Sequence, residues 1–373
     1  MKTSCSTTSV ADDHMIGCVT TTAKTGPKLS ALFLFVRKGF VGLVTVLLAL
    51  TLAACDRKAE NWKLSGPTMG TSYHITVVQV PAGQAKAPLQ SAIDAELAAV
   101  NQEMSTYIPD SELMRFNAAA TGVAVEVSPH LADVVNRSLD IYRRSGGAFD
   151  VTIGPLVNLW GFGPNPEPET IPSDEEIDRL QQVLGSDALS LDGLTLTKSR
   201  PVSIDLSAIA KGHGVDRVAE LLESRGITNY LVEVGGELRT SGVSPQGQPW
   251  RIGIERPTAG QVVQKPIQVS GKAVATSGDY RNYYERDGKR YAHTLDPRTG
   301  RPVEHRLASV TVIADNCAEA DGLATAFNVM GAEAALKLAE KEGLAVFLLV
   351  KAEQGFEERY SEAFTPYLES QGR

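Results

Sequence analysis

The run Leu189-Ser-Leu-Asp192-Gly193-Leu-Thr-Leu196 leads into Val202-Ser-Ile204-Asp205-Leu-Ser-Ala208-Ile-Ala-Lys211-Gly-His213 and closes on Tyr230-Leu-Val-Glu-Val234-Gly-Gly-Glu237. Leu189 and Leu191 alternate before Asp192-Gly193, and Leu194 and Leu196 follow it, which predicts a hairpin with a type I′ turn. Val202 and Ile204 continue as a strand. Ala208 to Ser224 has helical spacing and stops at Gly226. Tyr230 to Val234 alternates again and ends at Gly235-Gly236. Hairpin, strand, helix and strand in this order do not make a regular βαβ series. Upstream, Ser72 to Val80 reads as a strand, with Tyr73, Ile75 and Val77 on one face. Pro88 to Met104 repeats Leu89, Ile93, Leu97, Val100 and Met104 at helical spacing. Leu131 to Tyr142 is a second helix, stopped by Gly146-Gly147. Trp160 to Pro172 is a Gly/Pro loop, and Ser173 with Glu176 forms a capping box for a helix ending near Gly185. Downstream, Trp250 to Val274 reads as short strands and Leu307 to Ile313 as a strand. Cys317 to Met330 and Ala332 to Glu342 read as helices, and Ala345 to Val350 as an apolar strand. The class is α+β: mixed, largely antiparallel sheets packed with helices.

Composition bounds the function. The chain has 373 residues, 43% hydrophobic and 21% charged, without a solenoid-period repeat. That excludes fibrous, disordered and multi-span membrane classes. The net charge of −8 excludes a nucleic-acid binder that relies on bulk charge. Cys 4 is too few for a disulfide scaffold.

The N-terminus reads as targeting. Arg37 and Lys38 precede an apolar run from Phe40 to Ala54, the length of a signal-peptide core and short for a membrane span. The run ends Leu52-Ala53-Ala54-Cys55, which resembles the lipobox of bacterial lipoproteins. The expected division is residues 1–54 as extension and signal peptide, 55–62 as lipidated Cys55 and tether, and 63–365 as the main folded domain. Asp56 resembles the signal that retains a lipoprotein at the inner membrane, facing the periplasm. A signal peptide this far inside the chain suggests a translation start downstream of Met1. Lys2, Lys24, Lys28, Arg37 and Lys38 would leave with the signal peptide against only Asp12 and Asp13, so the remainder is more acidic than the whole. Cys317 would then be the only thiol left without lipid, and it reads as a buried small hydrophobe at a helix start.

Four segments carry candidate chemistry. Asp205 to His213 sits where a strand meets a helix, so unpaired first-turn N–H groups and Lys211 suit an anion. Equally, Asp205 serves as an N-cap and Lys211 as a surface lysine. Asp321 and Thr325, at i and i+4, put a carboxylate and a hydroxyl on one helical face, hard donors that suit Mg²⁺. Alone, the pair is better explained by helix-dipole complementation and packing, since such pairs are common on helices. His293, in Tyr291-Ala-His-Thr-Leu-Asp296-Pro-Arg-Thr-Gly300, can exchange a proton near neutral pH, or simply bond a carbonyl. Val234-Gly235-Gly236-Glu237 permits close backbone approach to a ligand. No dinucleotide or P-loop signature, zinc spacing or nucleophile elbow accompanies them.

Together these segments resemble the ApbE family of flavin transferases. The matching pieces are Gly66-Pro-Thr-Met69-Gly-Thr71, Met104-Ser-Thr-Tyr107 through Leu113, Arg115-Phe-Asn117, Gly147-Ala148-Phe149-Asp150 through Pro155, and Leu159-Trp160-Gly-Phe162. They continue through Asp205 to Gly212, Val234 to Glu237, Thr276-Ser-Gly-Asp279-Tyr-Arg281, His293 to Pro297, and Glu319 to Ala326. They run in family order from about Lys63 to about Val350. The resemblance implies a two-lobed single catalytic unit of T-fold-like type. It also implies a reaction in which FAD and a target threonine give FMN-threonyl protein and AMP. The acceptors it implies are subunits of Na⁺-pumping quinone reductase or Rnf-type complexes. Asp321, Thr325 and the Ala208 carbonyl match the family's Mg²⁺ ligands. Met69, Tyr107, Ala148, Phe149, Asp150, Asp205, Lys211 and Leu295 match FAD-contact positions, and His293 matches the general base. Two positions depart from the pattern. Gly322 stands where Ala is frequent, which by propensity loosens that turn by about 1 kcal/mol. Glu237 stands where Asp is frequent. A metal-dependent FAD pyrophosphatase and a non-catalytic FAD-binding lipoprotein are the alternatives.

Overall fold

A computed structural model describes residues 60–163, 170–257, 262–278, 283–286 and 288–368. Cys55, the lipobox, and Asp279 to Arg281 lie outside the described residues. Ala59–Arg373 forms one compact unit. Among the described residues no helix is long and apolar enough to cross a membrane.

The centre is an eight-stranded sheet: β1 (Trp62–Thr68), β2 (Thr71–Val77), β3 (Tyr230–Val234), β4 (Glu237–Ser241), β5 (Ala273–Gly278), β6 (Leu307–Ala314), β7 (Ala345–Lys351) and β8 (Phe356–Tyr360). Neighbours in the sheet follow chain order, and every pair is antiparallel. The helices that position the site are α1 (Lys86–Met104), α2 (Pro129–Arg144), α3 (Ala210–Ser224), α4 (Cys317–Met330) and α5 (Ala332–Glu342). α4 packs on β5, β6 and α3, and α3 packs on β3, β4 and α1.

Strand alternation explains how both faces are covered. On β7, Val346, Leu348 and Val350 join the core under the helices. Ala345, Phe347 and Leu349 point the other way, against Ile254, Ile267, Val269 and Phe364. Those residues come from the hairpin Trp250–Glu255/Val263–Val269 and the C-terminal turn Glu362–Tyr367. On β2, Tyr73, Ile75 and Val77 pack with Leu89, Ile93 and Leu97 of α1 and Val215, Val218 and Leu222 of α3. The alternate residues Ser72 and His74 face a cavity instead.

The structure departs from the sequence reading in three places. The hairpin forms, but Asp192 pairs with Thr195, so Gly193 and Leu194 are the turn's central residues. Only Gly193 has positive φ (58°), the type II′ rather than type I′ pattern, because Leu194 keeps its side chain out of the left-handed region. Val202 and Ile204 are extended but belong to no ladder. The Asn117 side-chain amide serves Ile204 instead, donating to its carbonyl at 2.8 Å and accepting from its N–H at 2.7 Å. The helix expected from Ala208 begins at Ala210, because Asp205 Oδ1 turns back on the Ser207 N–H (2.9 Å) and hydroxyl (2.5 Å) and holds a turn there. Edge strands β1 and β8 had no clear pattern. Pro67 and Gly66 interrupt the first, and Glu357, Glu358 and Arg359 charge the second, as edges tolerate.

Candidate active site

α3 and α4 meet N-terminus to N-terminus. A Cβ on Gly212 would stand 2.3 Å from the Cys317 carbonyl oxygen, so only glycine permits this contact. Each helix caps the other. Ile209, the N-cap of α3, offers no side-chain bond, and the Gly212 N–H donates to Asp321 Oδ2 of α4 at 3.0 Å. In return Asp216 of α3 accepts from the Cys317 N–H (2.9 and 2.8 Å) and the Ala318 N–H (2.9 Å), and pairs with Arg239 at 3.1 Å. The anion at the N-terminus of α3 is thus a carboxylate from α4. Cys317 is buried, with its thiol against the Leu238 carbonyl at 3.5 Å.

Lys211 lies in the first turn of α3. Its Nζ stands 3.2 Å from Glu237 Oε2 and 3.6 Å from Asp321 Oδ2. Burial pushes the Asp321 carboxyl up, against the pull of Lys211 and the Gly212 N–H. Burial and then the Asp321 charge push Glu237 up, against Lys211. Burial works against the Lys211 ammonium too, but the two carboxylates outweigh it and hold its pKa above the ordinary lysine value. One ammonium is thus shared between two buried carboxyl groups.

This group lines a cavity of about 920 Å³ at the β3–β4 turn. The volume suits a large cofactor-sized ligand. Tyr107, Ala148, Phe149, Asp150, Asp205, Ala208, Lys211, His293, Leu295, Asp321 and Thr325 all line it. Ser72, His74, Glu233 and Glu237 join them. Tyr107 is 67% exposed, a ring with little packing of its own. Two side chains at expected FAD-contact positions are engaged elsewhere. Asp150 Oδ1 accepts from Thr152 N–H, Thr152 Oγ1 and Ser186 Oγ at 2.8, 2.7 and 2.6 Å. Phe149 is buried near Gly322. Met69 is outside the lining. Its φ of 49° at the β1–β2 turn goes with a side chain packed on the two helical cores, and its sulfur would lie 3.3 Å from a Cβ on Gly214.

The loop from His293 to Gly300 also lines the cavity. Asp296 accepts from the Arg298 N–H and guanidinium at 2.8 to 2.9 Å and fixes the turn. Trp160 Nε1 donates to the Gly300 carbonyl at 2.9 Å. Trp160, Tyr291, Tyr284 and Phe162 stack in succession at 5.7, 5.3 and 5.3 Å, and Phe162 meets the His293 ring edge-on at 6.4 Å.

The departures now have a packing context. A Cβ on Gly322 would come 2.6 Å from Ile141 Cδ1, so Ile141 fills the space an alanine methyl would take. Glu237 was not among the expected site residues. Its signal was a carboxylate directly after a Gly-Gly turn, beside strand residues of the core.

A fold of this architecture with a large charged pocket beside its sheet is that of a large-ligand binder, and by itself it names no reaction. The ApbE family model matches residues 69–348. A relative named FAD:protein FMN transferase, from Vibrio cholerae, is 48% identical over 328 residues, covering 87% of this chain and 98% of its own length. The solved structure of the flavin transferase ApbE from Vibrio cholerae superposes with a TM-score of 0.78 at 47% identity, covering 83% of this chain and 100% of that one. The apo flavinyl transferase ApbE of Pseudomonas stutzeri gives 0.78 at 42% identity, covering 84% and 98%. The chain belongs to the ApbE family.

Proposed function

We propose that this chain transfers FMN from FAD to a threonine hydroxyl of a target protein and releases AMP, with Mg²⁺ held by Asp321, Thr325 and the Ala208 carbonyl. One observation carries the reading. In a chain of this family, those three residues and Lys211 share one cavity with His293. Mg²⁺ is commonly bound by one or two carboxylates with substrate phosphates and water completing its shell, and the Asp321 carboxylate, Thr325 hydroxyl and Ala208 carbonyl are hard oxygen donors of that kind. The two buried acids that flank Lys211 are the second point of fit.

Bound metal would polarise the diphosphate and offset charge on the leaving phosphate. His293 takes the proton from the threonine hydroxyl. The threonine oxygen forms a bond to the FMN phosphorus as the phosphoanhydride bond breaks, and AMP leaves with the electron pair. Lys211 supplies a fixed positive charge beside the diphosphate. Tyr107, Leu295, Asp205 and the backbone of Ala148 to Asp150 border the space for FAD. Met69 supports that space from behind, through its packing on α1 and α3. The acceptors are subunits of Na⁺-pumping quinone reductase or Rnf-type redox complexes. Cys55 carries a lipid that tethers the enzyme to the inner membrane, facing the periplasm. The order of basic pair, apolar run, small residues and cysteine supports that anchor.

The test incubates the purified full chain with FAD, Mg²⁺ and a candidate subunit. The expected result is a subunit mass increased by one FMN on threonine, with AMP released. AMP without the mass gain would make the enzyme a pyrophosphatase, and intact FAD would make it a binder. Full metal-dependent activity in Asp321→Ala would remove the metal assignment. Membrane retention of Cys55→Ser would remove the anchor.

A further inference from the structure

We infer that Glu237 is a positioning residue that draws the Lys211 ammonium aside from Asp321 and so keeps that carboxylate open to a divalent cation. The inference rests on the metal reading above and assigns a task to a residue that reading leaves idle. Three observations carry it. First, the ammonium stands nearer Glu237 (3.2 Å) than Asp321 (3.6 Å). Second, the reach of the lysine is confined. Its Cδ would lie 3.3 Å from a Cβ on Gly235, so the stem runs along the β3–β4 turn. Its backbone is fixed where Gly212 abuts Cys317. Nζ therefore moves over a short arc between the two acids. Third, the acids differ in their other duties. Asp321 also accepts the Gly212 N–H at 3.0 Å. Glu237 is equally buried, at 5% exposure, and Lys211 is the side chain it pairs with among the described residues.

The physical consequence follows from Coulomb attraction in a buried site. An ammonium with only Asp321 in reach closes on it and competes with a dication for the same oxygens. A second carboxylate gives the ammonium another partner, so metal binding at Asp321 need not break an ion pair. Lys211 then stays beside the cavity, charged and ready for the diphosphate. The glutamate suits the task because its carboxylate reaches over the glycine turn to the ammonium while its backbone remains in β4.

The experiment titrates the purified full chain with Mn²⁺ in the presence of FAD and without acceptor, reading free Mn²⁺ by electron paramagnetic resonance. Glu237→Gln keeps the shape and removes the charge. It is expected to weaken Mn²⁺ binding by about tenfold or more. In a Lys211→Met background the same substitution is expected to change binding less than about threefold, since the competitor is gone. Glu237→Asp, which keeps the charge, is expected to restore most of the affinity, and it also serves if Glu237→Gln fails to fold. Equal losses in both backgrounds would mean that Glu237 acts on the metal directly, and would overturn the inference. So would unchanged binding in Glu237→Gln. If the unaltered chain binds no Mn²⁺ with FAD present, the metal reading itself falls.

Discussion

The two walls of the cavity are built by opposite means. On one side the backbones of α3 and α4 touch, and each helix end is closed by a carboxylate from the other. Elsewhere in the lining a turn-rich loop hangs on side chains: Trp160 on Gly300, Gln181 on the carbonyls of Pro297 and Arg298, and Asp296 on Arg298. In the helical wall two of the charged groups, Asp321 and Asp216, are also caps, so a change of charge there is a change of stability. In the loop wall the turn is fixed by residues around His293, whose half-buried ring meets Phe162 edge-on. One wall supplies charge at fixed positions. The other presents a proton carrier among stacked rings.

The largest expected effect tests the loop wall. His293→Ala is expected to slow FMN transfer by about 10²- to 10⁴-fold, the range for losing a general acid–base group. FAD should still bind, and the urea midpoint should stay where it was. Single-turnover transfer at saturating FAD, alongside unfolding, checks both. Normal turnover would remove the base, and a large stability loss would mean that the two walls do not divide labour in this way.

The next effect tests the helical wall. Asp216→Ala leaves the Cys317 and Ala318 N–H groups without their carboxylate acceptor and removes one of the two carboxylates on the Arg239 guanidinium, Glu223 being the other. The expected loss is about 3 kcal/mol of unfolding free energy. Asp216→Asn, which keeps an oxygen for one N–H, should lose less. Urea unfolding of the full chain measures it, and a loss under about 1 kcal/mol would show that the mutual caps are not what holds α3 and α4 together.

The same contrast explains what could be read from the chain. The helix Cys317–Met330 and the strand Ala345–Lys351 were legible because their signal, the spacing of apolar residues, is local. The cavity residues were legible through family motifs, since all but Met69 of the expected set line it. The mutual caps were not, because Asp216 and Cys317 are separated by 101 positions and Gly212 and Asp321 by 109. No local pattern marks a carboxylate as the cap of a distant helix. Asn117 illustrates the same limit. Its motif was recognisable, yet its use as a substitute strand partner for Ile204 depends on a contact 87 positions away. Glu237 was visible only as a longer acid where a shorter one is frequent, and its meaning came from the distance to Lys211.

The smallest expected effect concerns a group on the helical wall that caps nothing. His213 is buried on α3, its ring tilted against His130 at 5.9 Å, and its Nε2 has no hydrogen-bond partner. Burial pushes its pKa down to about 4 from 6.5, helped by Arg217, His130 and Arg137 and opposed by Asp133. The folded state therefore keeps the ring neutral where the unfolded chain would protonate it. Above the unfolded pKa this difference contributes nothing. As the pH falls from there toward the folded value, the unfolded state takes up a proton that the folded state refuses, and stability drops. Between pH 6.5 and about pH 5 the drop should be about 2 kcal/mol. Carboxylates and the other histidines titrate in the same range, so the informative quantity is the difference between two chains. His213→Phe places an apolar ring where the imidazole has an unpaired nitrogen, and should leave stability at pH 8 nearly unchanged. Its unfolding free energy should then fall less steeply on acidification, the gap from the unaltered chain widening as the pH drops below 6.5. Parallel curves would mean that the imidazole is protonated in the folded protein, and that the helical wall admits charge wherever it is offered rather than only where a partner stands ready.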